Sequence, residues 1–392
     1  MLAAWGRFVF RHRVAVLLGC VAMVAIAVFG LLHGGPLTTG TLGDLESTKA
    51  ADAAQTALGD RAGPNITALF RHDTLTVDDP TFYEEMGKSL APLEHDESVA
   101  SVLSPVEAPT RIGEALVSAD RHEALAVITM HGDITAGKEA FPKVRDEIKP
   151  GPFHIQYTGD AKYRVDLDDT LRDDLFVAEL VSLPLALLVL IVVFRSVVAA
   201  TLPVVVGALS VLSAIACILQ LARVTDMPQY TLNVASLIGL GLAIDYSLFY
   251  TSRFREELAG GATVPRAIEI AMATAGHAVM GSGLAAGVGI SGLLFFTHSY
   301  VSSMGLAGGV VVLFSVASAL TLLPALLAIL GKRVDAGSFG QKSVPDGRVW
   351  RRIVPKVMAH PIRVLVPTLA LVLALGVPFL RIQTASAFVG VL

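Results

Sequence analysis

Long apolar runs decide what this chain can fold into. A helix that crosses a bilayer needs about 20 consecutive, mostly apolar residues. Seven segments meet that length: Val14–Leu32, Leu175–Phe194, Val197–Leu221, Leu232–Tyr250, Ala271–Phe296, Val301–Leu330 and Val364–Leu380. Only 16% of the residues are charged, whereas soluble domains carry about 25% charged residues. The sequence therefore predicts an α-helical polytopic membrane protein with seven spans.

The basic residues predict the orientation of these spans. Outside residues 33–174 they fall mainly in alternate loops: Arg7, Arg11, Arg13, Arg195, Arg253, Arg255, Arg266, Lys332 and Arg333. The positive-inside rule places such loops in the cytoplasm. The N-terminus is then cytoplasmic, residues 33–174 are extracytoplasmic, and the bacterial cytoplasmic (inner) membrane is the expected location. The first apolar run could be a signal peptide, but it is long and no clear cleavage site closes it, so we interpret it as a retained anchor.

The segment between the first two spans has the composition of a water-exposed domain. Residues 33–174 hold 26 of the 34 acidic residues and 13 basic ones. This excess argues against a nucleic-acid partner, which favours a basic surface. The pattern predicts three helices, Asp44–Leu58, Pro80–Leu90 and Ala136–Ile148, and four strands, Asn65–Phe70, Val99–Leu103, Ala124–Met130 and Phe153–Tyr157. From the first strand onward, the order is that of an α+β domain of the split βαβ type.

Two residues of this domain carry specific expectations about its helices. Asp79 is expected to cap the helix that opens with Pro80. Pro142 is expected to lie in the first turn of its helix or to break it. Residues 161–174 contain five aspartates, but their spacing lacks the central glycine of a calcium loop. A solvated helix that leads into the second span is the favoured interpretation.

These patterns divide the chain into five parts. Residues 1–32 form an N-terminal amphipathic segment and span 1, 33–174 the extracytoplasmic domain, and 175–331 a bundle of five spans. Residues 332–363 form a cytoplasmic linker, and 364–392 begin with span 7. Cys20 and Cys217 lie inside apolar runs and are interpreted as packing residues. No metal or other cofactor is expected.

One ionisable residue stands out within the spans. Asp245 lies in the middle of the fourth span and is followed by Tyr246. An aspartate at the centre of a membrane helix costs about 2.5–3.5 kcal/mol on insertion scales. An apolar surrounding disfavours the anion, so such a carboxyl can bind and release protons. A structural hydrogen-bonding role for Asp245 is the alternative, and Glu179 lies too near the end of its span to compete.

Small residues predict where helices approach one another. The expected packing glycines are Gly239 and Gly241 in the fourth span and Gly276, Gly281 and Gly283 in the fifth. Their spacing is typical of small-xxx-small helix contacts. The polar residues of the fifth span are Ser282 and His277, and an interfacial position is favoured for His277 over a proton-exchanging one.

Other motifs of chemistry are missing from the sequence. It contains no P-loop, no zinc-type cluster of His and Cys, and no serine-nucleophile elbow. An enzyme is therefore not expected, nothing indicates nucleotide hydrolysis, and any energy input would have to come from an ion gradient.

Two motifs resemble those of a known family. The run GLGLAIDYSLFYTSRFREEL at Gly239–Leu258 closely resembles the fourth-helix motif of permeases in the MmpL-like branch of the RND superfamily. The run TAGHAVMGSG at Thr274–Gly283 is similar to the fifth-helix pattern TAGRxVxxSG of that branch. One span, a large outer domain and five further spans also follow the family's order, so the resemblance covers nearly the whole chain.

The resemblance implies a function and a site. It implies a proton-driven exporter of a lipid or other hydrophobic substrate, with a porter-like outer domain. It assigns the proton relay to Asp245, Tyr246 and Ser282. His277 replaces the arginine of the fifth-helix pattern, which leaves the role of that position open.

The resemblance also bears on the length of the chain. The sequence around Trp5 recurs loosely around Trp350, as expected where a second repeat begins. The sequence is then expected to be a truncated permease, or else a half that assembles as a homo-oligomer or with a second permease half. Two other functions remain open: a SecD/SecF-like motor subunit, which would bind a translocation channel, and a lipid- or sterol-sensing membrane module without transport.

Overall fold

The structure is a computed structural model that describes residues 1–35, 37–38, 46–106, 108, 110–296, 299–338 and 348–381. By its internal contacts the chain separates into two units, Met1–Phe339 and Gly340–Leu392. The first unit contains the bundle and the sheet domain, and the second contains the last apolar helix. Each unit is described by itself.

The first unit begins with two helices that follow each other directly. Helix α1 (Leu2–Arg11) is short and amphipathic, and α2 (Arg13–Leu32) is long enough to cross a bilayer. His12 separates them, because its backbone angles, φ −109° and ψ 24°, interrupt the helix. The arginines at this junction lie where a spanning helix meets the membrane surface.

The chain then folds into a domain built on one sheet. Its elements are α3 (Glu46–Leu58), β1 (Asn65–Arg71), α4 (Pro80–Leu90), β2 (Val99–Leu103), α5 (Thr110–Ala115), β3 (Glu123–Met130), α6 (Ile134–Glu147) and β4 (His154–Thr158). The strands are ordered β2-β3-β1-β4, and all neighbours are antiparallel. This is the predicted split βαβ arrangement, although the sequence pattern did not reveal α5.

The domain core follows from the alternation along its central strands. Every second residue of β1 and β3 is buried: Ile66, Ala68, Phe70, Ala124, Ala126, Ile128 and Met130. These side chains pack against α4 and α6 through Phe82, Met86, Phe141 and Val144. Because a one-residue slip would turn this whole set toward solvent, the buried face fixes the strand register.

The two specific helix expectations have different outcomes. The Asp79 carboxylate accepts a hydrogen bond of 2.9 Å from the backbone N–H of Thr81, and α4 begins at Pro80, as predicted. Pro142, by contrast, lies inside α6, so that prediction was wrong. The helix already begins at Ile134, because Asp133 accepts a hydrogen bond of 2.9 Å from the N–H of Ala136. This cap starts the helix upstream, and the packing of α6 on the sheet outweighs the one backbone hydrogen bond that Pro142 removes.

A single long helix joins the domain to the bundle. Helix α7 (Asp160–Phe194) begins after Gly159, whose φ of 104° favours glycine, and runs for 35 residues without a break. It is followed by α8 (Val197–Leu221), α9 (Tyr230–Ala259), α10 (Val264–Ala273), α11 (Ala275–Ser291), α12 (Ser299–Leu320) and α13 (Leu322–Leu330). Helix α9 packs extensively against α8 and α12, and these three helices form the centre of the bundle.

Seven segments of the described chain are long and apolar enough to span a membrane, which confirms the predicted number. Two of the predicted spans are interrupted, at Thr274 between α10 and α11 and at Thr321 between α12 and α13. The second break has a clear cause, because Pro324 has no N–H to donate to the carbonyl of Leu320. That carbonyl instead accepts a hydrogen bond of 3.0 Å from the indole N–H of Trp5 in α1.

The second unit consists of two helices. Helix α14 (Arg348–Ala359) is basic and amphipathic, and α15 (Pro361–Gly376) opens the apolar segment that continues to Leu380. Residues 339–347 of the predicted linker, and residues 382–392, lie outside the described part of the chain.

Candidate functional site

Asp245 lies halfway along α9, on a side of the helix that the other described elements of the first unit leave open. About 22 Å of helix separates it from Tyr230, at 1.5 Å per residue. Ile238, Gly241, Asp245 and Phe249 follow each other at helical spacing and are all exposed; we call these four residues the open stripe. Among the described residues, none forms a hydrogen bond or an ion pair with the Asp245 carboxyl.

The surroundings of Asp245 make the open stripe chemically unusual. Its other members are apolar, and Ile238 and Phe249 are 38% and 63% exposed. A carboxylate that faces lipid at mid-span is costly, and intramembrane acids normally face a bundle interior, water or a partner. We therefore expect water or a protein partner to cover Asp245 in the membrane.

Tyr246 points in a different direction from Asp245 and is buried. Only 4% of it is exposed, and its hydroxyl has no hydrogen-bond partner among the described residues. A Cβ atom placed on Gly283 of α11 would lie 3.7 Å from this hydroxyl oxygen and 2.3 Å from Cγ2 of Val316 in α12. The absence of a side chain at Gly283 thus lets α11 close over Tyr246.

The five predicted packing glycines fall into two groups. At Gly239, Gly276 and Gly283, an added Cβ would lie within 3.0 Å of a side-chain atom of another residue. The nearest such atoms at Gly239 belong to Val311 of α12 and Val211 of α8. At Gly241 and Gly281, no described heavy atom lies within 4 Å of that position. These two glycines therefore take no part in packing among the described helices.

Ser282 and His277, the polar residues predicted in the fifth span, are both exposed on α11. Ser282 is exposed, and its hydroxyl donates a hydrogen bond of 3.2 Å to the carbonyl of Val279 in the same helix. The Nδ1 atom of His277 lies 2.7 Å from the carbonyl oxygen of Ala273, within hydrogen-bond distance. No described contact joins Ser282 or His277 to Asp245.

Two further hydroxyl side chains of α9 were not predicted as site residues from the sequence. Ser247 and Thr251 are fully buried, and neither hydroxyl has a hydrogen-bond partner among the described residues. They are four residues apart and hence neighbours on one face of the helix. Buried hydroxyls of this kind are typically satisfied by internal water. Their spacing within an apolar span marks them as candidates in the sequence, but it does not show that they are buried.

A second carboxyl contacts α9 near its other end. Ser236 of α9 donates a hydrogen bond to the carboxylate of Glu179 in α7. The membrane part of α7 is otherwise largely exposed. Glu179, which the sequence analysis set aside, thus ties the helix that enters the sheet domain to the helix that carries Asp245.

Charged contacts fix α9 at the end of the bundle away from the sheet. Arg255 donates hydrogen bonds to the carboxylate of Asp335 (2.7 Å) and to the carbonyl of Phe194 (2.9 Å). Ser196 donates to the carbonyl of Val334 at 2.9 Å.

Within the described ranges, no group of three or more His, Cys, Asp or Glu side chains is arranged to hold a metal ion.

Known proteins resemble this chain along most of its length. The profile of the MMPL family matches residues 41–364. A membrane protein of Streptomyces coelicolor is 32% identical over 374 residues, which cover 91% of this chain and 52% of that protein. The trehalose monomycolate exporter MmpL3 of Mycobacterium tuberculosis is 34% identical over 347 residues, 86% of this chain and 36% of the exporter.

A third relative matches a shorter stretch. The mycolic acid-containing lipids exporter MmpL11 of Mycolicibacterium smegmatis is 34% identical over 212 residues, 53% of this chain and 22% of that exporter. The chain spans about half, or less, of the length of these curated relatives.

Proposed function

The chain belongs to the MMPL family, and from this premise we propose that it acts in the proton-driven export of a lipid or other hydrophobic substrate across the bacterial cytoplasmic membrane. The observation that carries the proposal is Asp245, an ionisable group at mid-span in an otherwise apolar stripe. Two similar proteins are named as exporters of mycolic acid-derived lipids, which supports a lipid as the substrate class.

The proton step requires a group that changes its charge inside the membrane. Asp245 takes up a proton from the outer side and becomes neutral, which lowers the cost of its position facing an apolar medium. Release of the proton on the other side restores the charge and with it a preference for a polar surrounding. The two charge states thus favour different positions of α9, which is what a gradient-driven cycle needs.

Buried hydroxyls next to Asp245 provide a route for the proton. Tyr246, Ser247 and Thr251 follow along the half of α9 that leads away from the sheet domain, and their hydroxyls have no described protein partner. Waters held by these groups can pass a proton between Asp245 and that end of the bundle. We include Ser282 of α11 in this relay on the resemblance of its motif alone, since no described hydrogen bond joins it to Asp245.

Movement of α9 has a direct path to the sheet domain. On the side of the sheet domain it contacts α7 through the hydrogen bond between Ser236 and Glu179. Helix α7 continues without a break into the domain, where Asp168 pairs with Lys138 of α6. A shift of α9 is thereby passed to the domain, where the substrate is handled.

The open stripe calls for a partner in the membrane. We expect it to pack against a second bundle, either a second copy of this chain or the second half of a longer permease. The relatives are about twice as long or longer, which leaves room in them for a second bundle. In this proposal the N-terminus is cytoplasmic and the sheet domain is extracytoplasmic, as the basic loops predict. The proposed cycle uses the proton gradient and no cofactor.

The proposal is tested with inside-out membrane vesicles from cells that express the chain. We expect a fluorescent lipid added outside to accumulate in the vesicles when their interior is acidic, and accumulation to stop when a protonophore collapses the gradient. Vesicles without the chain serve as the control. Accumulation that persists with the protonophore, or that needs added ATP, would contradict a proton-driven exporter.

A further inference from the structure

A cavity lies between α1 and α10, at the end of the bundle opposite the sheet domain. It measures about 360 Å³ and is lined by Arg7, Phe10, Thr263, Pro265, Arg266 and Glu269. The two helices meet closely beside it, since a Cβ atom on Gly6 would lie 3.0 Å from Cβ of Met272. A water molecule occupies about 30 Å³ in the liquid, so the cavity has room for a chemical group with the volume of roughly a dozen waters. This is the size of a lipid headgroup rather than of a single ion.

The cavity has more positive than negative charge. Glu269 receives hydrogen bonds from both arginines, and the contact with Arg266 measures 2.9 Å. The carboxylate side chain is only 20% exposed, whereas those of Arg7 and Arg266 are 60% and 61% exposed. A guanidinium has five N–H donors, and each arginine uses a single nitrogen on Glu269. Both therefore retain donors for an anion in the cavity.

The neighbours of the cavity place it at the depth of lipid headgroups. Trp5 donates its indole N–H to the carbonyl of Leu320 and stacks on Phe8 at 5.3 Å. Both rings remain partly exposed, by 40% and 47%, as is typical of aromatic residues at a membrane–water interface. The first spanning helix, α2, begins only six residues after Arg7. We therefore expect the phosphates of one leaflet to lie level with the arginines.

We propose that this cavity binds the phosphate-bearing headgroup of an anionic phospholipid, as a resident lipid separate from any exported substrate. Arg7 and Arg266 would donate to the phosphate oxygens, because guanidinium groups match phosphate geometry. Phe10 and Pro265 offer an apolar wall to the glycerol and the start of the acyl chains. The bound lipid would join α1 to α10 and leave Glu269 between the two arginines.

The fluorescence of Trp5 can report lipid bound near this site, because the chain contains only one other tryptophan, Trp350. The full chain carrying Trp350→Phe is reconstituted in vesicles that contain dibrominated phosphatidylglycerol or, at the same fraction, dibrominated phosphatidylcholine. Bromine quenches tryptophan emission on contact. We expect phosphatidylglycerol to quench Trp5 more strongly, with an apparent preference that falls about fivefold for each arginine removed.

The variants separate binding from folding. Arg7→Gln and Arg266→Gln should each lower the preference for phosphatidylglycerol, whereas Glu269→Gln should raise it, because it removes the competing carboxylate. If these contacts were purely structural, all three variants would lower the preference for phosphatidylglycerol. Lys332→Gln is the matched control, since Lys332 is an exposed base outside the cavity and should leave the preference unchanged.

Three outcomes would overturn the proposal. Equal quenching by the two lipids would show that the cavity does not select an anionic headgroup. A loss with Lys332→Gln as large as that with Arg266→Gln would reduce the effect to general surface charge. Full competition by inorganic phosphate in the buffer would show that the ligand is free phosphate rather than a lipid.

Discussion

At the scale of single residues, the contacts around a side chain determine what its replacement reports. Asp245 is exposed and has no described hydrogen-bond partner, so its replacement by asparagine breaks no hydrogen bond or ion pair among the described residues. Tyr246 is buried beneath Gly283, so a change there also alters packing. Asp245 is therefore the residue whose substitution separates transport from folding.

The capping residue Asp79 gives a prediction with a defined pH dependence. The backbone N–H of Thr81 holds the pKa of the Asp79 carboxyl below its ordinary value. A carboxyl with a lowered pKa stabilises the folded state above its unfolded value of about 3.9, and this contribution is lost as the pH falls through the folded value. We expect Asp79→Ala to speed amide exchange at the start of α4 at neutral pH. Asp79→Asn should keep the protection, because asparagine also caps helices.

Hydrogen exchange followed by mass spectrometry of peptides from residues 76–90 measures this effect. Peptides from α6, which has its own cap at Asp133, serve as the internal reference. Unchanged exchange in Asp79→Ala would show that the cap does not hold the start of α4.

Residue-scale features differ in how far the sequence predicts them. The cap at Asp79 was predictable, because an N-cap is defined by neighbours in the chain. The burial of Ser247 and Thr251 was not, since it depends on how α9 is rotated against α8 and α12. The same holds for Glu179, whose partner Ser236 is 57 residues away in the chain.

At the scale of secondary structure, the glycines of α11 provide a matched pair. A Cβ on Gly283 would lie 2.3 Å from Val316, whereas none of the described residues comes within 4 Å of a Cβ on Gly281. We expect Gly283→Ala to destabilise the bundle by about 1–3 kcal/mol, the usual effect of overpacking. Gly281→Ala should leave stability unchanged or raise it by up to about 1 kcal/mol, since alanine favours helix over glycine.

Thermal unfolding of the two variants in the same detergent compares them directly. The informative result is a loss of stability in Gly283→Ala without a loss in Gly281→Ala. Equal destabilisation by both would mean that α11 is not packed against α12 as described.

The lengths of the helices followed from the sequence more closely than their breaks did. Apolar length sets where a span can lie, and Val197–Leu221 was predicted to the residue. The interruption at Thr321 was missed because Pro324 sits within a uniformly apolar run. The position of Pro142 was predicted wrongly because α6, which begins two residues before the predicted start, stays helical through the proline.

At the scale of the whole molecule, the open stripe predicts a covered surface in the native membrane. Gly241 has no described neighbour within 4 Å of a side-chain position, and Val177 on α7 is also exposed, by 57%. If a second bundle covers the stripe, a cysteine at position 241 should react slowly with a membrane-permeant maleimide, whereas one at position 177 should react fast. Both cysteines are introduced singly into a chain that lacks Cys20 and Cys217.

Labelling is compared in native membranes and after dispersal in a strong detergent. We expect the difference between the two positions to disappear on dispersal. Equal rates at positions 241 and 177 in native membranes would contradict a covering bundle.

The fold of the whole molecule was largely predictable, and the placement of its site was not. Seven apolar runs and the strand–helix–strand–strand–helix–strand order were enough for the fold class, because each depends on local periodicity. Whether Asp245 faces inward or outward depends on the rotation of α9 among its neighbours. The sequence alone does not specify that rotation, since glycines and apolar residues occur on several sides of the helix.

Proton flux through the reconstituted chain tests the central claim most directly. Liposomes with a trapped pH-sensitive dye would report proton entry driven by an imposed membrane potential, for the native chain, Asp245→Asn and Asp245→Glu. We predict that Asp245→Asn lowers the protein-dependent flux about 100-fold, the scale of losing an acid–base group, while Asp245→Glu retains part of it. A flux through Asp245→Asn equal to that of the native chain would contradict the proposal that Asp245 carries the proton.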